Sequence, residues 1–421
     1  MLCGKVFTMN PLKETVVYIS REIERTMGIE PSDNYRIVAG RTPYSESIKS
    51  RYPDFVTLID GKDGSSAGTS ELMAHPDTST LISSLMASGK RPYIMVFKNT
   101  ARIEPLARER GWTIINPPAE TSEKIENKLS QVQWLGTMES YLPPHRLKSM
   151  SGISWKGQPF IVQWAHGHTG AGTILVESEE TLKALQDRFP ERRARVTEYV
   201  SGPSFTANIV VTPDKIEAGG ISYQITGLAP FTDKRFVTIG NDWSIVKSLL
   251  SAADLDAVRK LVQELGARMQ QEFWRGLFGI DMIKDEKTGK LYLIEVNARQ
   301  PASTTYESAL QQAERAKGAD GLTTFEAHVT ALLGQPLAKP VIEITDGAQI
   351  VQRVGPTVKS VPGAAVSNLE KAGFKTVSYG NIRDNEDLLR IQSPGGIMAG
   401  HGTFNESGQK IVGVLKDGFA S

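Results

Sequence analysis

Residues 276–299 read GLFGIDMIKDEKTGKLYLIEVNAR, two apolar runs around a charged, glycine-bearing turn. In an extended strand alternate side chains share a face. Glu295, Asn297 and Arg299 therefore point one way, and Tyr292, Ile294 and Val296 the other. A hairpin turning over Glu286–Lys290 sets Asp281 opposite Glu295. Facing carboxylates repel, and a divalent cation between them removes the conflict. An all-oxygen donor set suits magnesium, with manganese as a substitute, and leaves room for substrate phosphates as further ligands. The plainer alternative is an amphipathic hairpin with one solvated face. Against it, the opposite face is wholly apolar and the polar positions alternate without a break.

Upstream, residues 160–176 read FIVQWAHGHTGAGTILV, a strand, a glycine-rich loop and a second strand. Glycines let a loop approach phosphate closely and present backbone N–H groups to it. The G-x-x-x-x-G-K-[ST] pattern is absent, which excludes a P-loop. His166 and His168 could be a metal pair, but no further ligands cluster with them. They read better as loop residues at an entrance, contacting phosphate or substrate. The segment Gly64-Ser65-Ser66-Ala67-Gly68 matches the G-x-S-x-G of a nucleophile elbow. Here Gly61 to Gly64 intervene between the strand and the Ser, so a flexible linker is the better reading.

In chain order, Lys128, the glycine loop, the strand RVTEYV (195–200) and the pattern G-x-D, turn, Y-x-I-E-x-N-x-R resemble the landmarks of the ATP-grasp ligases. The resemblance is to the carboxylate–amine type, with a region like that of biotin carboxylase, and covers about residues 126–310. It implies that Asp281, Glu295 and Asn297 hold magnesium against ATP. Lys128 would reach the phosphates and serve catalysis, a point-charge task suited to an ammonium. Arg299 would steady the acyl phosphate or tetrahedral intermediate. Gln163, His168, Gly170, Gly172 and Thr173 would line the nucleotide, with Glu198, Tyr199 and Val200 along the adenine edge. Three departures stand out. Gln163 occupies the place of the family's second nucleotide-binding Lys, and Ser204 that of an acidic residue. Pro, Ala, Ser and Thr follow Arg299 where biotin carboxylase has an acidic bicarbonate-handling residue, which argues against bicarbonate as substrate. The implied activity is ATP-dependent ligation: a carboxylate becomes an acyl phosphate, an amine displaces phosphate, and an amide or peptide-like bond forms. The alternatives are a regulatory nucleotide-binding protein without catalysis, or a carboxylase or kinase on the same fold.

The elements around these residues imply a mixed α/β and α+β architecture. Residues 1–125 alternate strands and helices as a Rossmann-like pre-ATP-grasp domain does. Residues 126–335 form a two-part ATP-grasp domain with the glycine-loop subdomain at about 150–200. Residues 336–421 form a small β-rich domain capping the site. Expected elements include a helix over Leu12–Met27, strands at Tyr35–Gly40, Phe55–Asp60, Pro92–Phe97 and Trp112–Asn116, and a loop at Leu72–Ile82. A helix is expected to open at Glu126, one long strand to run over Ile216–Ile225, a long loop to span Gly227–Trp243, and an amphipathic helix to cover Ala253–Phe273. With 421 residues the chain can bury a substantial core. A formal net charge of +1 gives no basis for sequence-independent nucleic-acid binding. The single Cys3 excludes an intramolecular disulfide and a Cys-based zinc site, and fits a reducing cytoplasm. No apolar run is long enough to span a membrane. The expected partners are a small-molecule carboxylate and an amine, with a homodimer as the default assembly.

Overall fold

The computed structural model describes residues 12–61, 66–166 and 172–420. A five-stranded parallel sheet comes first, in the spatial order Val56–Ile59, Tyr35–Gly40, Val16–Ser20, Tyr93–Val96, Thr113–Ile114. Its middle strand, VVYIS, is buried along its whole length and pairs on both sides. This corrects the expected helix over Leu12–Met27. Leu12, Val16, Ile19 and Ile23 recur at helical spacing, but a β-branched run with both faces covered belongs inside a parallel sheet. The expected loop at Leu72–Ile82 is also corrected: helices Thr69–Ala74 and Pro76–Ala87 occupy it. His75 joins them as a cap, its Nδ1 accepting from the Asp77 N–H at 3.2 Å, with Pro76 in the first helical position.

A four-stranded antiparallel sheet follows, in the order His145–Ser149, Arg193–Glu198, Phe160–Trp164, Thr173–Val176. The third sheet is the largest, with nine strands. It starts from the hairpin Leu291–Asn297 and Gly276–Lys284, continues through Ser204–Val211, Ser222–Thr226 and Thr238–Asp242, and ends with Ala348–Arg353, Asp387–Ser393 and Lys375–Ser378, while Ile216–Ala218 pairs with Ser204–Val211 off this path. The β-rich C-terminal stretch thus extends this sheet. It also meets the N-terminal sheet, where the Tyr379 hydroxyl donates to Glu24 and Arg21 pairs with Glu386. The helix Ala252–Gln271 carries the expected Ser251/Asp254 capping box and buries Val258, Leu261, Val262, Leu265 and Met269 against the large sheet. Thr238–Asp242 is a strand inside the segment expected to be one long loop. Among the described residues, no helix is long and apolar enough to cross a membrane.

The single strand expected over Ile216–Ile225 is broken into Ile216–Ala218 and Ser222–Thr226. The break lies at Gly219 and Gly220, where the backbone passes close to buried side chains. A Cβ on Gly219 would sit 2.2 Å from Glu307 Oε1, and one on Gly220 2.9 Å from the Trp243 ring. Gly219→Ala is therefore an overpacking change against a fully buried, hydrogen-bonded carboxyl group. We expect it to lower stability by roughly 1–3 kcal/mol, read as a drop in the urea midpoint with unchanged slope; an unchanged midpoint would show that the buried Glu307 yields freely.

Candidate active site

The hairpin brings Asp281 and Glu295 face to face, as register predicts, but by a different route. Lys284 pairs with Leu291, so the turn over residues 285–290 is one residue longer than expected. A bulge at Ile294 then absorbs the difference, and Asp281 meets Glu295 beyond it. Bulges re-aim side chains, and this one corrects the expected facing. Leu293 and Val296 enter the core, while Ile294 turns to line a cavity of about 310 Å³.

That cavity lies between the four-stranded and the nine-stranded sheets. Gln163, Thr173 and Glu198 line it from the first, Asp281, Glu295, Asn297 and Arg299 from the second, and Tyr199 and Val200 from the chain between them. Ser204 lines it too, at the start of its strand. Among the described residues, Lys128 and Gly172 are not part of the wall. Gly172 closes the base of its hairpin, its carbonyl accepting from the Trp164 N–H at 3.0 Å. His168 and Gly170 lie outside the described residues, as do Gly64 and Ser65. His166 is not part of the cavity lining and lies 3.3 Å from the Glu123 carboxylate.

The electrostatics follow from the two facing acids. Asp281 accepts from Thr206 Oγ1 at 2.7 Å, Gln224 Nε2 at 2.6 Å and Asn297 Nδ2 at 3.0 Å. Burial and the Glu295 charge nevertheless push its pKa up to about 6. Glu295 accepts from Lys128 Nζ at 2.9 Å. Lys128 itself sits in a turn between the helices Ala119–Glu126 and Ser130–Leu135, which corrects the single helix expected to open at Glu126. The Lys128 N–H donates to the Ala165 carbonyl, which ties this turn to the glycine-loop hairpin. Arg299 donates to Asn297 Oδ1 at 2.6 Å and to Glu126 at 2.8 Å, and Glu126 is also paired with Lys98 from the N-terminal sheet. Gln300 anchors this segment by accepting from the Tyr18 hydroxyl at 2.6 Å and donating to the Arg25 carbonyl at 2.9 Å.

Among the described residues, no group of three or more His, Cys, Asp or Glu side chains is placed to hold a metal. A cation here would rest on the two carboxylates, the Asn297 amide oxygen and groups brought by a substrate. The donor set fits magnesium, because two facing carboxylates and an amide oxygen supply the hard oxygen ligands that ion takes.

Several lining residues escaped the sequence reading. Gln224 and Thr206 hold Asp281, and Arg195 is buried in the wall with its pKa pushed down to about 10 by burial. The signal for Arg195 was partial: it stands between the apolar Ala194 and Val196, but Arg193 two positions earlier in the same strand is exposed. Ser303, on the wall, and Glu307, behind it, share the Asn208 amide, which donates to them at 3.0 and 2.5 Å.

Burial raises the Glu307 pKa from 4.5 to about 7, and the bond from Asn208 lowers it only partly. The folded chain thus keeps a proton that the unfolded chain gives up, and stability falls as pH rises from about 4.5 to about 7. Glu307→Gln removes this dependence. The variant should gain on the wild type by an amount on the order of 3 kcal/mol across that window, with no further change above it. Denaturation curves at a series of pH values check this; a constant difference between the two proteins would refute it.

A model of the ATP-grasp domain matches residues 125–303. No curated protein matches the chain. Among solved structures, N5-carboxyaminoimidazole synthetase from Staphylococcus aureus is 14% identical, with 97% of this chain and 100% of that one covered and a TM-score of 0.62. Carboxyaminoimidazole ribonucleotide synthase from Aspergillus clavatus, solved with ATP, is 15% identical over 96% of this chain and 99% of that one, with a TM-score of 0.61. The biotin carboxylase domain of Hydrogenobacter thermophilus 2-oxoglutarate carboxylase, solved with MgADP and bicarbonate, is 13% identical over 90% and 86%, with a TM-score of 0.59. At these identities the likeness is one of fold. The chain therefore carries an ATP-grasp domain, over residues 125–303, within a fold similar to those structures over 90% or more of its length.

Proposed function

We propose that this protein is an ATP-dependent ligase that activates a carboxylate as an acyl phosphate and joins it to an amine. The observation that carries the reading is the Asp281–Glu295 pair, facing in register on the cavity wall with Arg299 four residues after Glu295. The substrate carboxylate oxygen attacks the γ-phosphorus of ATP and ADP leaves. The amine nitrogen then attacks the acyl carbon, phosphate leaves, and an amide remains. Magnesium, held by Asp281, Glu295 and Asn297, would supply charge neutralisation for the phosphates. Arg299 offers its guanidinium to the oxyanion that develops on the acyl carbon, braced by Glu126 and Asn297. Lys128 sets its ammonium 2.9 Å from Glu295, within the charge cluster that would meet the phosphates. Glu198, Tyr199 and Val200 take the adenine side of the cavity.

A second reading keeps the chemistry and takes bicarbonate as the acid. The fold-wide likeness to a biotin carboxylase domain solved with bicarbonate favours it. Pro301, Ala302 and Ser303, which line the cavity where an acidic residue would handle bicarbonate, weigh against it.

The test is ADP release with magnesium, using pooled acids and amines in one arm and bicarbonate with amines in the other, with products read by mass spectrometry. Release that needs both an acid and an amine supports the ligase. Release that needs bicarbonate selects the second reading. Tight ATP binding without release in any arm leaves a binding protein and ends the proposal. Glu295→Gln should slow turnover by about a hundred- to a thousandfold, the cost of losing one preorganised charge contact.

A further inference from the structure

The Arg195 guanidinium forms part of the cavity wall although the residue is only 1% exposed. All its hydrogen bonds go to neutral acceptors: Gln163 Oε1 at 2.9 Å, Gln131 Oε1 at 3.3 Å and the Ile294 carbonyl at 2.8 Å. It makes no ion pair among the described residues, and the carboxylate whose charge reaches it, Glu295, is already paired with Lys128. A buried charge without a counter-ion is costly unless something else brings one.

Arg195 also dictates how Gln163 is turned. Gln163 pairs across the antiparallel ladder with Arg195 on one side and Thr173 on the other, and opposed residues share a face. The three make one row along the cavity wall. A guanidinium can only donate, so the amide oxygen of Gln163 must face it and the amide NH₂ must face away. Among the described residues that Nε2 has no hydrogen-bond partner.

We infer that Gln163 and Arg195 together form a site for a phosphate oxygen of the bound nucleotide. Gln163 Nε2 donates to the anionic oxygen, and the Arg195 charge behind it polarises the amide and takes the phosphate as its counter-ion. Gln163 is the contact and Arg195 a positioning residue. The cation that would otherwise project from position 163 thus stands one strand away, reaching the ligand through a neutral amide. The inference rests on the nucleotide reading of the cavity. A purely structural role for Arg195, tying down the bulged Ile294 carbonyl, would not distinguish ligands with and without phosphate.

Calorimetric titration of the full chain with ADP and with adenosine, both in magnesium, separates the cases. Gln163→Met should weaken ADP binding about tenfold, the loss of one hydrogen bond to a charged group, and leave adenosine binding unchanged. Arg195→Met should do the same. The double variant Gln163→Lys/Arg195→Met, which moves the charge across the ladder, should bring ADP affinity back to within about threefold of the wild type. Equal losses for ADP and adenosine, ADP binding untouched by Gln163→Met, or no recovery in the double variant would each overturn the inference. Should Arg195→Met fail to fold, Gln163→Met decides alone. A wild type that binds neither ligand removes the nucleotide reading itself, whereas one that binds adenosine and ADP equally removes only this site.

Discussion

Two carboxylates are held against each other across one hairpin, and much of the molecule is arranged around that repulsion. Asp281 is surrounded by three donors from three strands. Glu295 is met by Lys128, which arrives from a turn pinned to the glycine-loop hairpin through Ala165. Arg299 adds positive charge on the same face but is itself shared with Glu126, which is shared in turn with Lys98. Charges therefore alternate from the N-terminal sheet to the cavity wall, and no single partner can be removed without leaving a buried charge beside an unmatched neighbour. Such a site is neutralised without a ligand and can exchange its internal partners for a cation and an anion arriving together.

How far the sequence revealed this depends on the range of the contact. The hairpin was legible because its information is local: the alternation of Glu295, Asn297 and Arg299 and the glycine-bearing turn lie within two dozen residues. Even there two errors cancelled. The turn is longer than expected, and the bulge at Ile294 restores the pairing. Periodicity cannot reveal a bulge, because one extra residue shows only as a change of facing. The helix Ala252–Gln271 was legible for the same local reason, its stripe and capping box both standing in the sequence. The middle strand of the first sheet was not. Its apolar spacing fits a helix as well as a strand, and only the two neighbouring strands decide the matter.

Cross-strand contacts were the least legible of all. Gln163 looked like a lost charge, since the sequence places Arg195 thirty-two residues away with nothing to join them. Ladder register makes them neighbours. Likewise Gln224 and Thr206 read as ordinary strand polar residues until pairing brings them to Asp281. A substitution at a motif position is thus a weak guide to a missing function until the residue opposite it is known.

The helix Thr324–Leu332 lies far along the chain yet completes the first sheet. Phe325 stacks on Tyr18 at 6.3 Å and meets Tyr35 edge-on at 6.4 Å, and Val329 and Leu332 join the same core as Val16 and Ile37. During synthesis the N-terminal strands emerge first, with that aromatic surface bare. They must wait for most of the polypeptide to leave the ribosome before their cover arrives. The leading segment therefore keeps part of its core uncovered until that helix is made, and apolar surface left bare in this way is what makes incomplete chains prone to aggregate.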